Sequence, residues 1–322
     1  MTTGAVRRAR LTIAFASAVT AVAATLVAPA RAAEPADPGG PAATVVGAAE
    51  PCPPPAGFRP GRFEDSTELD GRYQPLPAGT ELTWQVHAND GGRALPRTVV
   101  LTATDLVKRI DGVWARVLWQ RQLAEGVATG SALLFQAQDD DRNVWQLGAY
   151  PVLPADGTVT GASEAWIAGV AGARAGVVVP GDPEVDEPPY LRAAAPGIGL
   201  LRCGFVVDTS AREVCAPAIC YDGVLVVEEF SPLLGPPVRH AYLPGAGLIV
   251  AAQVNSDGET LFLTARRRLS VEERLAAAEA ALGLEERAYA GSEVYAGTEA
   301  MRLQAADADA RAVRWALGDR LR

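Results

Sequence analysis

Three groups of residues have types and spacings that could do chemistry. Asp139, Asp141 and Asn143 occupy alternate positions in Asp139-Asp140-Asp141-Arg142-Asn143. Oxygen ligands at i, i+2 and i+4 are how a calcium loop begins. The sixth position is Val144 rather than glycine, and the twelfth is Tyr150 rather than glutamate. Without the sharp turn and the bidentate carboxylate, the run reads as a solvated hairpin tip. His87 and His240 are the only histidines, and each falls within a strand pattern with no partner motif. They read as surface or satisfied core side chains rather than an acid–base pair. Glu228-Glu229 offers two carboxylates of the kind glycoside hydrolysis uses. Neighbours on a strand point to opposite faces, so the two would not act together.

Ser131, Ser163 and Ser210 lie in no Gly-x-Ser-x-Gly elbow. No Gly-x-Gly-x-x-Gly or phosphate loop opens a helix, and no cofactor is implied. The tryptophans Trp84, Trp114, Trp119, Trp145 and Trp166 could line a groove on the apolar concave face of a curved sheet. They would serve equally as core between sheet and helices. The candidate ligand-binding residues are Trp84, Trp145, Trp166, Tyr190 and Tyr242.

The elements that would position these residues are strands. Leu133, Phe135 and Ala137 alternate with Gln136 and Gln138, and Trp145, Leu147 and Ala149 repeat the beat beyond the acidic tip. A period of two marks half-buried strands, here a β-hairpin. Leu82, Trp84 and Val86 form an earlier strand, closed by the turn Asn89-Asp90-Gly91-Gly92. Val99, Leu101 and Ala103 begin the next, and Ile110-Asp111-Gly112 turns into Trp114 to Gln120. Residues 151–199 are rich in Gly and Pro. Beyond a short strand at Ala165-Trp166-Ile167, Pro180, Pro183, Pro188, Pro189 and Pro196 argue for a long loop. Strands resume at 200–208, 212–216, 223–230, 237–243, 246–254 and 260–267.

At Ser270 the pattern turns helical. Ser270-Val271-Glu272-Glu273 is a capping box, with Leu275, Ala278 and Leu282 at helical spacing and Gly283 a candidate break. A second helix is expected from about Thr298 to Leu321, with Trp315 and Leu317 packed on the sheet.

Arg7, Arg8 and Arg10 precede an apolar run from Leu11 to Ala28, and Ala30-Arg31-Ala32 supplies small residues for cleavage. This is the form of an export signal, with an uncleaved anchor as the alternative. No later segment approaches the ~20 apolar residues of a membrane span. The net charge of −9 argues against nucleic acid as a partner. Four cysteines in an exported chain suggest two disulfides. Cys203–Cys215 across a hairpin with Cys52–Cys220 is favoured, and Cys215–Cys220 around one tight turn is the near rival. No Cys-x-x-Cys spacing suggests a metal.

The run Asp139 to Asn143 with Val144-Trp145-Gln146-Leu147-Gly148 resembles a family of exported bacterial proteins without an assigned activity. Its hallmark is an Asp-rich turn followed by Asn-Val-Trp-Tyr-Phe-Gly-Glu. Trp166-Ile167-Ala168-Gly169, Glu228-Glu229-Phe230-Ser231-Pro232-Leu233 and His240 to Leu248 are similar to the same family, over about residues 73–265. This chain departs at Ala149, where the family carries an acid, and around Glu187-Pro188-Pro189-Tyr190. The resemblance implies a β-rich exported domain and no reaction. A likeness to lipoprotein-carrier half-barrels is one of fold alone.

The expected architecture is mainly β, an antiparallel curved sheet (half-barrel or sandwich) with C-terminal α-helices. Residues 1–32 would be the signal peptide and 33–72 a flexible Pro/Gly/Ala-rich lead-in. Residues 73–268 would be the β domain and 269–322 the helical segment. The expected function is a non-enzymatic exported domain binding an apolar small molecule or an extended cell-envelope component. A structural or protein–protein module is the first alternative and an unrecognised hydrolase the second.

Overall fold

The structure is a computed structural model that describes residues 52–53, 57–88, 96–152, 154–155, 158–159, 164–233, 235–255, 258–304 and 308–317. The expected signal segment 1–32, the turn at 89–92, Ser163 and the helix end at 318–321 lie outside them.

Twelve strands follow one another around a single sheet. They are β1 (Thr80–Ala88), β2 (Arg97–Ile110), β3 (Val113–Ala124), β4 (Val127–Gln138), β5 (Val144–Val152) and β6 (Arg174–Val179), then β7 (Tyr190–Ala195), β8 (Leu200–Ala211), β9 (Val224–Phe230), β10 (Val238–Leu243), β11 (Gly247–Gln253) and β12 (Glu259–Arg268). Each pairs antiparallel with the next. β1 also pairs with β12, from Thr80↔Arg268 to Ala88↔Glu259, while its other edge pairs with β2. The sheet therefore closes into an up-and-down barrel, which corrects the half-barrel or sandwich. Closure satisfies the edge groups that an open sheet leaves bare. The contact that closes it joins the first and last strands, so no local pattern announces it.

Two of the strands fall inside the stretch read as a long loop. The prolines delimit them: Pro180 follows β6, Pro189 precedes β7 and Pro196 follows β7. Each strand is short, and their mutual pairing is limited to Ala193↔Ala175 and Ala194↔Arg174.

Eight strands enclose a space that side chains just fill, and twelve leave a lumen. Here the chain fills it with residues 66–78. Leu69, Tyr73 and Leu76 are buried among Trp84, Leu101 and Leu134 in the interior. Arg116 donates from Nε and Nη2 to the Thr67 carbonyl at 3.2 and 3.0 Å. The Gly71 amide donates to Gln138 Oε1 at 2.7 Å, and Gln138 N donates to the Ser66 carbonyl at 2.8 Å. The flexible lead-in expected over 33–72 is thus packed where it is described. It was illegible because a plug that is neither helix nor strand shows no period.

The outer face of β3–β5 is apolar as well. Val117, Phe135, Trp145 and Leu147 lie under α1 (Val271–Gly291), α2 (Glu293–Ala296) and α3 (Ala308–Leu317), or against Phe58 and Phe63 of the entering chain. The Ser270–Glu273 capping box starts α1, and Gly283 does not break it. The second helix expected over 298–321 is instead α2, a two-residue strand Arg302–Leu303 on β2, and α3. Ala310, Val313 and Leu317 form the buried face of α3, whereas Trp315 is 88% exposed, contrary to expectation. A β-bulge in β2 turns Asp105 outward, where the buried Arg274 of α1 grips both its oxygens. Lys108, the only lysine, pairs with Glu285 at 2.9 Å.

The disulfides are Cys52–Cys203 and Cys215–Cys220, which overturns the favoured pairing and establishes its rival. Cys203 sits near the start of β8, while Cys215 and Cys220 face each other in a small hairpin beyond its end. Most of a strand, roughly 26 Å at strand rise, separates them.

Cys52–Cys203 spans 151 residues and Cys215–Cys220 spans 5. The loop-entropy account predicts about 5 kcal/mol for the first and about 2 kcal/mol for the second. Replacing the first pair by alanine should lower the urea midpoint clearly more than replacing the second, and the reverse order would show that residue 52 anchors nothing. Leu69→Ala, which empties part of the plug, should cost about 2–5 kcal/mol in the same assay.

Candidate functional site

Inside the barrel, strands β7 to β10 direct charged side chains into an interior that is otherwise apolar. Leu225, Val227 and Glu229 share the inward beat of β9, and His240 and Tyr242 that of β10. The register pairs Val227 with His240 and Leu225 with Tyr242. Arg192, two residues after Tyr190, points to the same side, and the register shift between Leu191 and Ala193 keeps Ala193 and Ala195 there as well. Gly204, the register partner of Tyr190 on β8, lies beside Arg192, and a Cβ there would stand 2.7 Å from Arg192 Cδ. The absent side chain is what lets the guanidinium cross the strand.

Arg192 Nε lies 2.9 Å from Glu229 Oε2, and Arg202 Nη1 is 3.4 Å from Oε1. Burial works to raise the Glu229 pKa, but the two guanidinium groups, Arg192 first, outweigh it and keep the carboxylate ionised. Burial likewise opposes the charge on Arg192, and Glu229 overrules it, so Arg192 stays protonated. Burial pushes His240 down to about 4, with Arg192 adding to the shift, so the ring is neutral at neutral pH. It stacks on Tyr242 with ring centroids 6.3 Å apart. Among the described residues, Arg192 Nη1 and His240 Nε2 are buried and have no hydrogen-bond partner, while the Tyr190 and Tyr242 hydroxyls lie against the same guanidinium.

The opposite wall is a relay of amides: Gln74 Nε2 donates to Gln136 Oε1 at 2.6 Å, and Gln136 Nε2 donates to Gln146 Oε1 at 3.0 Å. Between the two walls lies a cavity of about 60 Å³, with Leu76, Leu82, Trp84, Leu134 and Leu248 on its apolar sides. The Trp84 indole is anchored by a 2.9 Å bond to the Leu248 carbonyl.

Of the five residues read as ligand-binding, Trp84 and Tyr242 line this cavity. Tyr190 packs close by, against the Gly204 Cα. Trp166 is buried in the interior cluster but is not in the cavity wall. Trp145 is on the other side of the sheet, under Phe58 and Phe63, because its position in β5 faces outward. Arg192 and Arg202 were not singled out from sequence. The available signal was Glu229, a charge where the alternation after Leu225 and Val227 calls for an apolar residue.

The acidic turn is structural. The Asp139 carboxylate accepts from the amides of Asp141 and Asn143, from Asn143 Nδ2 and from Trp145 Nε1, at 2.8–3.0 Å. Four donors use up the oxygens a calcium ion would need. Glu228 faces away from Glu229 and pairs with Arg239 at 2.9 Å. His87 lies edge-on to Phe262, and its position on β1 faces away from the interior that holds His240.

No protein-family model and no curated protein matches this sequence. Among solved structures it is similar to a Bacteroides fragilis protein described as exported and of YmcC-like fold. The identity is 14% and the TM-score 0.35, over 62% of this chain and 100% of that one. It is also similar to a Parabacteroides distasonis protein described as a lipoprotein, at 10% identity and a TM-score of 0.34, over 63% and 100%. Among the described residues, no helix is long and apolar enough to cross a membrane. The two disulfides fit an oxidising compartment.

The His240 shift makes the fold acid-sensitive. Its native pKa lies below the ordinary 6.5. As pH falls from about 6.5 toward 4, the unfolded chain takes up a proton that the native state refuses, so stability falls. The loss is on the order of 3 kcal/mol. Glu229, also depressed, adds a loss of the same sign at the acid end. Urea midpoints across this window should decline in the wild type and flatten in His240→Phe; equal slopes would place the proton elsewhere.

Proposed function

We propose that this protein is an exported, non-enzymatic β-barrel that binds one small polar ligand inside the barrel. The observation that carries the reading is the cavity itself: two buried polar groups without partners among the described residues, Arg192 Nη1 and His240 Nε2, belong to residues in its wall. Buried polar groups left unpaired cost free energy, roughly 1–3 kcal/mol each, which an occupant would recover. The size sets the class. Pockets for drug-sized molecules run from about 300 Å³, whereas this one is about 60 Å³. With residues 66–78 occupying the lumen, a lipid chain or a peptide has no room. The expected apolar or extended ligand therefore gives way to a small one.

The non-enzymatic part of the reading rests on how the titratable groups are held. Glu229 is kept ionised between two arginines, which suits it to balance charge rather than to give or take a proton. Export is supported by the disulfides together with the expected signal segment. The interaction-module alternative would need a contiguous apolar patch around Trp315 of α3, which is 88% exposed.

Ligand-observed NMR with a panel of small polar compounds tests the first reading, on the wild type and on Leu134→Phe, which adds bulk to the cavity wall. Compounds should bind the wild type and lose contact in the filled variant. A folded wild type that binds none of them, or a lipid-sized adduct in native mass spectrometry of the mature protein, would overturn it.

A further inference from the structure

We infer that the cavity seats the carboxylate of a short-chain carboxylic acid on Arg192 and His240, with its hydrocarbon end against Trp84 and Leu248. The inference rests on the small-ligand reading and adds the chemical class.

The argument is a count of polar valences around the wall. The three glutamines are engaged among themselves, and Gln146 Nε2 closes the relay on the Gly148 carbonyl. The Glu229 oxygens are engaged by Arg192 and Arg202. The Trp84 N–H is spent on Leu248. The Tyr190 and Tyr242 hydroxyls are engaged with the Arg192 guanidinium as well. Among the described residues, what is left over at the wall is Arg192 Nη1 and His240 Nε2. A guanidinium nitrogen can only donate, so the occupant must accept.

Charge narrows the class. Glu229 keeps Arg192 protonated in a site that is all but shut off from water, since Arg192 is 5% exposed and His240 4%. Bonds between ionised partners are about twice as strong as neutral ones, and the planar guanidinium fork matches a carboxylate. His240, neutral there, can add an N–H without adding a second charge. The remaining wall is hydrocarbon, so the rest of the ligand is apolar. A volume of about 60 Å³ is about a fifth of the smallest drug-sized pockets, which limits the acid to a short one.

Isothermal titration calorimetry of the full oxidised chain with acetate, propionate and butyrate tests this, with the matched amides and chloride as comparisons. The acids should bind and the amides should not. Arg192→Lys keeps the charge opposite Glu229 but loses the fork, and His240→Phe removes the second donor. Each should weaken binding by about tenfold or more, while Arg239→Gln on the outer face of β10 should leave it unchanged. If Arg192→Lys does not fold, His240→Phe carries the comparison alone. Amides binding as well as the acids, or chloride competing as well as propionate, would overturn the carboxylate assignment and leave the small-ligand reading standing. A folded protein that binds neither acids nor amides would remove both.

Discussion

A closed barrel of twelve strands has more room inside than its own side chains can fill. That constraint organises the molecule. The chain answers it by sending residues 66–78 into the lumen before the first strand begins. Leu69, Tyr73 and Leu76 supply apolar volume there, while the backbone at Ser66, Thr67 and Gly71 is tied to Arg116 and Gln138. A buried segment without regular structure must find partners for its peptide groups one by one. The polar residues on the inward faces of β3 and β4 are there for that purpose. The charge that Arg116 brings inside the barrel is thus a consequence of the plug.

Buried ion pairs recur on both sides of the wall. Arg274–Asp105 and Lys108–Glu285 lash α1 to the bulged strand β2 from outside, and Lys108 also lies 4.2 Å from the Tyr295 ring centroid. Arg192–Glu229–Arg202 spans β7, β8 and β9 from inside. Such pairs add little net stability, because desolvation offsets most of the attraction. Their value is positional. α1 approaches the sheet largely through alanines, Ala277, Ala278, Ala281 and Ala288, which pack closely but select no unique register. Two ion pairs at opposite ends of that face supply one. Inside, the interior triad does the same for the short strands β7 and β9 while leaving one guanidinium nitrogen without a partner.

How much was legible depended on the range of the interaction. The hairpin around Asp139 was readable because alternation and turn chemistry are properties of adjacent residues. Even there the beat slipped: Leu147 is an extra residue in β5, so Ala149 faces inward while Trp145 faces out. The capping box at Ser270 was readable for the same reason, and the end of α1 was not, since glycine at 283 is tolerated once tertiary contacts hold the helix. The prolines of 180–196 bound two strands rather than excluding them. They forbid a strand only where they sit, and β6 and β7 fit between them. In the candidate site, Trp84 and Tyr242, both singled out by aromatic type, line the cavity. Arg192 was missed because the room for its guanidinium comes from the bare Cα of Gly204 on the neighbouring strand and its partner Glu229 lies two strands away.

By itself, then, the amino-acid order determined the antiparallel character, most strand positions, the acidic hairpin tip and the start of the long helix. Each of these follows from steric and hydrogen-bonding preferences acting within a few residues. The closure of β1 on β12, the entry of residues 66–78 into the lumen, the choice of Cys203 as partner for Cys52 and the meeting of Arg192, Glu229 and His240 were decided only in three dimensions. They join positions tens to nearly two hundred residues apart. Contacts at that range are selected by which surfaces are left to bury once the local elements have formed, and no short window of sequence contains that information.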